Sequence, residues 1–433
     1  MNWIFKGALL LNGFPIKEAL NNYSHLLNNP IDNQNRAFKQ FIYFKEKSSF
    51  YKKFLFDKRS DHINHWNMVP IISKKDFQVG MDEVIKGWNF KKLHIHNTSG
   101  SSGTPFYFAK DKFCHAMTWA HTNAKFSEHD LQLGASCQAR FYGIPLDGFK
   151  YYKERLKDML SARIRFPVFD LSDIRLAEMV EIFKKHDFIY INGYTSSLVL
   201  FAKYLISNNV VLKDICPSLQ LVMPTSEICD DIDRKTLKDG FGVKVVNEYG
   251  AAELDLIAMD DIDGDFVLNE ETLYVEILDE QNRPVLPGVE GRVVITSLFN
   301  QVMPFIRYEI GDRAILSDKV KNGRRVLERV VGRTNDIIKL PSGKVSPGLT
   351  FYYISKRLLE GGGKIKEFVI RQTTINTFVL EYVSESEMSS GEKEQVMIAV
   401  ETYLDAGLEL IFIRKEKIER TKAGKLKHFF SEI

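Results

Sequence analysis

The sequence predicts an α/β protein: a large N-terminal part of sheets and helices that includes an antiparallel β unit, then a small α+β domain. Three observations carry this. Residues 98–260 alternate short apolar runs with longer helical patterns. Residues 264–317 change to period-two alternation broken by turn signals. After "VVGRTNDIIKL" come three strand-like runs around one helical run.

Taken in order, residues 1–95 are rich in Asn, Lys and aromatics, and their apolar positions at mixed three-and-four spacing predict helices. "FIYING", Phe188 to Gly193, reads as a strand ending in an Asn-Gly turn. "SSLVLFAKYLISN" follows with Leu198, Phe201, Ala202 and Leu205 on one helical face. "SLQLVMPTSE" and "VKVVNEYGAAE" are two further apolar runs that end in small or polar residues. In a strand–turn–helix–strand series, ligands gather at the carboxyl ends of the strands. "PTSE" and "NEYGAAE" fall there. "DFVLNEETLYVEILDEQNRPVLPGVEGRVVITSL" predicts antiparallel strands, with turns at Asn282–Pro284 and Pro287-Gly288. A domain boundary is expected at 334/335, giving parts 1–334 and 335–433. In the second part "EFVIRQ", "TFVLEYV" and "LELIFIRKE" predict strands, and "GEKEQVMIAVETYLDAG" predicts a helix stopped by Gly407.

The totals narrow the function classes. The net charge of +3 over 433 residues, with basic residues spread along the chain, gives no nucleic-acid footprint. Cys114, Cys137, Cys216 and Cys229 form no CxxC pair, which argues against a zinc ribbon or thioredoxin-like site. So few cysteines fit reduced thiols in the cytoplasm. The longest N-terminal apolar piece, Ala8 to Leu11, is too short for a signal sequence, and no run approaches the ~20 apolar residues of a membrane span.

Four stretches carry chemistry. "TSGSSGTP" comprises Thr98, Ser99, Gly100, Ser101, Ser102, Gly103 and Thr104 before Pro105. Glycines let backbone amides face an anion, and the hydroxyls add donors. It is not a Walker A loop, and alone it reads more readily as a solvated Ser/Gly loop. Glu253 lies four residues past Tyr249 at the end of an apolar run. A carboxylate there suits Mg²⁺ beside phosphates, although a solvated acid at a helix start fits too. "FIRYEIGDRA" sets Arg307 and Asp312 around a glycine turn, suited to a phosphate and to ribose hydroxyls, or to a surface ion pair. Lys425, after Ala-Gly in "ERTKAGKLKHF", is a mobile cation for a transferring phosphoryl group or part of a basic tail.

In this order, "TSGSSGTP", "YGAAE", "RYEIGD", "GRTNDIIK" and "KAGK" resemble the motifs of the adenylate-forming enzymes: acyl-CoA synthetases, peptide-synthetase adenylation domains and luciferases. The resemblance runs from residue 96 to 427. The compact length, "INGYTSSLVLFAKYL" and "GKVSPGLTFYYI" are similar to the phenylacetate–CoA ligase-like branch, especially its CapK-type members associated with surface-polysaccharide biosynthesis.

The resemblance implies a multilayer large domain with a small C-terminal lid. It also implies a two-step reaction: a carboxylate attacks the α-phosphate of ATP, and the acyl group then passes to CoA, an amine or a hydroxyl. By the same token Thr98–Thr104 would hold the phosphates, and Tyr249, Gly250 and Ala251 would border adenine and the acyl pocket. Glu253 would bind Mg²⁺, Asp312 the ribose, Arg307 and Arg333 the nucleotide side, and Lys425 the carboxylate and α-phosphate. Expected partners are ATP, a small carboxylate, and CoA or a sugar or carrier acceptor, with a homodimer as a candidate assembly.

Two positions depart from the pattern. Asn335 stands where the family's hinge has Asp, and no basic residue follows the phosphate loop closely, Lys110 and Lys112 being nearest. Phe141, Tyr142 and Gly143 are the candidates for the substrate side. The competing reading is a silent adenylate-forming fold used as a scaffold; the presence of Glu253, Asp312 and Lys425 favours the enzyme. A kinase or P-loop GTPase is disfavoured, since neither signature is present.

Overall fold

In the computed structural model the chain opens with helices Trp3–Leu11, Ile16–Asn28, Asn33–Lys47 and Ser49–Asp57. Asp32 and Ser48 cap the last two by accepting from the backbone N–H groups of Asn35 and Tyr51. Their aromatic spacing puts Phe41, Phe44, Tyr51 and Phe54 in the core. The structure describes the chain except residues 30–31, 61, 90–92, 98–105, 143–156, 160, 169–170, 334–336, 343–344, 348–364, 421–425 and 427. It falls into two compact units, one of residues 1–310 and 314–330, the other of 311–313 and 331–433.

The first unit is built on two sheets and a hairpin. Strand β1 (Ile72–Ser73) is short; β2 (Leu93–Asn97) and β3 (Tyr107–Asp111) form an antiparallel hairpin. Five parallel strands follow: β4 (Gln138–Phe141), β5 (Arg163–Phe166), β6 (Tyr190–Tyr194), β7 (Leu221–Thr225) and β8 (Lys244–Val245), in the order β5-β4-β6-β7-β8. Helices Asp173–Phe183, Thr195–Ser207 and Asp231–Phe241 join a core with Phe141, Phe166, Ile191 and Val222 on one face of this sheet. On the other face Tyr190, Leu221 and Met223 pack with Phe126, near the end of helix Lys112–Glu128. Leu198, Phe201, Ala202 and Leu205 are fully buried, as their spacing predicts. Truncating a core aromatic such as Phe141 would cost about 3–5 kcal/mol.

The Asn-Gly of "FIYING" makes no turn: β6 continues to Tyr194 and leads straight into the helix at Thr195. Gly193 is there for space, because a Cβ on it would lie 2.4 Å from Phe141 Cβ.

The second sheet holds β9 (Glu248–Ala251), β10 (Asp255–Asp260), β11 (Phe266–Leu268), β12 (Leu273–Leu278), β13 (Glu290–Ser297), β14 (Tyr308–Lys321) and β15 (Arg324–Arg333), with β1 parallel to β14. The single run "VKVVNEYGAAE" therefore divides, β8 joining the parallel sheet and β9 the antiparallel one. The predicted glycine turn at Gly311 is instead a point inside β14 with φ +89°.

In the second unit β16 (Ile337–Lys339) and β17 (Val345–Pro347) form an antiparallel ribbon. β18 (Ile365–Gln372), β19 (Thr377–Ser384), β20 (Glu409–Lys415) and β21 (Phe429–Ser431) form a sheet in the order β20-β19-β18-β21. Helix Ser390–Tyr403 starts at a Ser389/Glu392 capping box, and Val396 and Val400 pack on Phe368, Leu380 and Tyr382. It ends before Gly407, with Asp405 accepting from the Ser342 N–H and hydroxyl, both at 3.0 Å. Among the described residues no helix is long and apolar enough to cross a membrane.

Candidate active site

The predicted phosphate loop, Thr98–Thr104, lies outside the described residues, as do Gly143, Asn335 and Lys425. Its two stems are described. Asn97 and Tyr107 pair directly as the last rung of the β2–β3 hairpin, so the loop joins adjacent antiparallel strand ends.

Tyr249, Gly250 and Ala251 form β9, and a tight turn through Ala252, Glu253 and Leu254 returns the chain along β10. The turn is closed by the Leu254 N–H donating to Ala251 O at 3.0 Å. Asp255 takes φ +63°, a left-handed backbone that an aspartate tolerates better than most residues. Gly250 has a steric reason: a Cβ would come 2.6 Å from Asp255 O. Tyr249 and Ala251 pack against the large core.

Glu253 is 6% exposed, and its Oε1 accepts from the buried Tyr308 hydroxyl at 3.0 Å. Among the described residues its second oxygen accepts no hydrogen bond, which leaves a hard oxygen ligand at the tip of the turn. Among the described residues no group of three or more metal-ligating side chains assembles. One carboxylate fits Mg²⁺, which keeps waters and takes phosphate oxygens as its other ligands.

The turn is braced by residues that sequence reading passed over. Lys110, 2% exposed on β3, pairs with Asp255 and donates to Ala252 O at 3.5 Å. Thr118 Oγ1 donates to the same Asp255 oxygen at 2.5 Å. Lys110 thus ties the strand leaving the phosphate loop to both sides of Glu253. Lys112 donates to Asn12 O at 2.8 Å and lies over the Phe14 ring. Neither lysine replaces the missing basic residue of the loop. A period-two reading of "FYFAKD" would put Lys110 inward with Phe106 and Phe108, the one signal that could have flagged it.

Two expectations need correction. Arg307 does not offer its guanidinium to a nucleotide. It is 1% exposed, donates to Val69 O at 2.9 Å and Asn67 O at 3.3 Å, and lies 3.3 Å from Glu276 Oε2 as an ion pair without hydrogen-bond alignment. With φ +45° it turns into the core just before β14 begins. Phe141 does not line a substrate surface either; it stacks on Phe166 at 4.8 Å within the core. Asp312 is buried on β14, and Arg333 ends β15.

Tyr142 follows β4, and its ring lies 4.5 Å from that of Tyr194 at the end of β6. Burial pushes both phenols above the usual tyrosine range. Beside them Glu248, the first residue of β9, accepts from Asn192 Nδ2 at 3.3 Å. Burial raises the Glu248 carboxyl above the usual carboxylate range, against the opposing pull of Thr225, Asn192 and Arg140. The carboxyl ends of the parallel strands and the Glu253 turn therefore meet through β9.

No family model matches the chain. Among curated proteins it is similar to Protein CapK of Staphylococcus aureus, 22% identical over 71% of this chain and 68% of that one. It is 33% identical to phenylacetate-coenzyme A ligase of Aromatoleum evansii over 110 residues, 25% of this chain and 23% of that protein. Among solved structures, 2-hydroxyisobutyryl-CoA ligase in the postadenylation state superposes with a TM-score of 0.69 at 16% identity, covering 92% of this chain and 89% of the other. That match establishes the fold, a large N-terminal α/β domain with a smaller C-terminal domain. By relatives and fold together, the chain is similar to adenylate-forming ligases, and its curated relatives include phenylacetate-coenzyme A ligases and CapK.

Proposed function

We propose that this chain activates a small carboxylic acid with ATP as acyl-AMP, releases pyrophosphate, and transfers the acyl group to CoA or to an amine or hydroxyl acceptor. The observation that carries this is the Glu253 turn: a buried carboxylate with one oxygen fixed by Tyr308 and the other open, tied by Lys110 to the strand that leaves the Ser/Gly loop.

In this reading residues 1–334 bind ATP and the acid, and residues 335–433 are the mobile lid that delivers Lys425, with Asn335 at the hinge. Backbone amides and hydroxyls of Thr98–Thr104 hold the β- and γ-phosphates. Asp312 accepts from the ribose hydroxyls, Tyr249 borders adenine, and Arg333 lies on the nucleotide side. A carboxylate oxygen of the acid forms a bond to the α-phosphorus as the bond to the bridging oxygen of pyrophosphate breaks. Lys425 stabilises the negative charge that develops there. Glu253 would hold Mg²⁺, which when bound neutralises phosphate charge. From the motif resemblance to CapK-type members we also propose a role in surface-polysaccharide assembly, in the cytoplasm, with a sugar or carrier as acceptor.

The test is a pyrophosphate-release screen with ATP and aromatic acids, short fatty acids, amino acids and uronic acids, CoA being added to each hit. Acid-dependent release from at least one class is expected. ATP that raises the melting temperature with no release from any acid would favour the scaffold reading.

A further inference from the structure

The strand order β5-β4-β6-β7-β8 winds first to one side of β4 and then to the other, so the reversal lies between β4 and β6. In open parallel sheets the crevice outside the carboxyl ends of the two strands at such a reversal is where ligands sit. Tyr142 and Tyr194 stand at those ends.

Arg140 precedes them on β4. Ala139 and Phe141 belong to the phenylalanine-rich core, so Arg140 faces the opposite side, in register with Arg165 and Asn192. Its guanidinium lies over the Tyr142 ring, 4.2 Å from the centroid. Its Nε is buried and, among the described residues, has no hydrogen-bond partner. Carboxylates nearby are held by other groups: Asp158 lies 2.9 Å from Arg165 and 3.5 Å from Arg163, and Glu248 accepts from Asn192. Among the described residues none forms an ion pair with Arg140. A guanidinium stacked on a ring gives up hydration on one face, and an unmatched buried N–H is costly. Its planar fork matches one partner best, a carboxylate bound through two parallel hydrogen bonds.

We propose that Arg140 receives a second carboxylate on the substrate, so that the acid this chain activates is a dicarboxylic acid. One carboxylate meets the α-phosphate of ATP and the other meets Arg140, with Tyr142 and Tyr194 flanking the carbon skeleton between them. The proposal rests on the adenylating function given above.

The experiment compares acids matched in skeleton: butyrate with succinate, hexanoate with adipate, phenylacetate with 4-carboxyphenylacetate. Pyrophosphate release from wild type should favour the best diacid over its partner by about tenfold or more in kcat/KM, the size of a charged hydrogen bond. Arg140→Met should bring that ratio close to unity. Arg140→Lys should fall between, since an ammonium keeps the charge and loses the fork. A wild type that prefers monoacids, or a ratio unchanged in Arg140→Met, would overturn the proposal. Circular dichroism checks that Arg140→Met folds, and Arg140→Lys carries the comparison if it does not. A second arm needs no turnover: the diacids should raise the melting temperature of wild type and not of the variant. Stabilisation by diacids without pyrophosphate release would keep the Arg140 receptor and remove the adenylating function; no stabilisation by any of them would remove the receptor.

Discussion

Arg307 and the Glu253 turn are two regions of the same sheet, linked through consecutive residues, since Tyr308 holds Glu253 and Arg307 precedes it. Both bury a charge. Around Arg307 the protein supplies the partners: the carbonyls of Val69 and Asn67 and the carboxylate of Glu276. Burial raises the Glu276 carboxyl, and Arg307 is what opposes that rise most. At Glu253 only one oxygen has a protein partner among the described residues. The difference separates a structural charge from a chemical one. A buried charge surrounded by partners fixes the fold; a buried charge with unused bonding capacity awaits a ligand.

The largest expected effect tests the saturated region. Arg307→Met should cost about 3–5 kcal/mol of stability in denaturant unfolding, because it strands Glu276 in the core. The protein that remains folded should bind ATP with unchanged affinity. Weaker ATP binding without lost stability would return Arg307 to the nucleotide site and break the comparison. Next, Lys425→Ala should reduce acid-dependent pyrophosphate release by about 10²–10³-fold while ATP still raises the melting temperature. An unchanged release rate would remove Lys425 from the chemistry.

The open region is sharpened by Glu253→Gln. The amide keeps the size and the bond from Tyr308 but offers no anionic oxygen. The Mg²⁺ concentration giving half-maximal rate should rise by about tenfold or more, with stability within about 1 kcal/mol of wild type. A magnesium titration that superposes on wild type would show that the open oxygen binds no cation. The smallest effect is expected from Tyr308→Phe, about 1 kcal/mol in stability and a similar loss in transition-state energy. Measured against Glu253→Gln in a double-mutant cycle, it reports how much of the carboxylate's action depends on being held.

Regular elements were legible because periodicity reports burial directly. The helix after "FIYING" and the alternating strands of 264–317 are where their spacing puts them. What local reading missed was set by residues distant in sequence. Gly193 looks like a turn glycine and is instead a gap for Phe141, 52 residues earlier in the chain. Arg307 looks like a phosphate ligand beside a glycine turn, yet its partners Asn67 and Val69 lie 240 and 238 residues away. Lys110 seems too far from the loop to matter, and the hairpin brings it onto the turn of Glu253. The motifs of the candidate site were readable as types of residue; which of them had free bonding capacity was decided by topology.

The passage from β8 to β9 has a practical consequence. Only Val246 and Asn247 separate a strand of the parallel sheet from a strand of the antiparallel one, and both are fastened, Val246 N–H to Val222 O at 2.9 Å and Asn247 N–H to Asp260 Oδ2 at 2.8 Å. An engineer who wishes to graft a relative's acid preference onto this chain has no neutral crossover point there. A chimera joined between residues 246 and 247 would put Arg234, which donates to Val245 O at 3.2 Å and to Asp260 Oδ2 at 2.9 Å, in one parent and Asp260 in the other, whereas an exchange of 138–260 as a block keeps that link within a single parent.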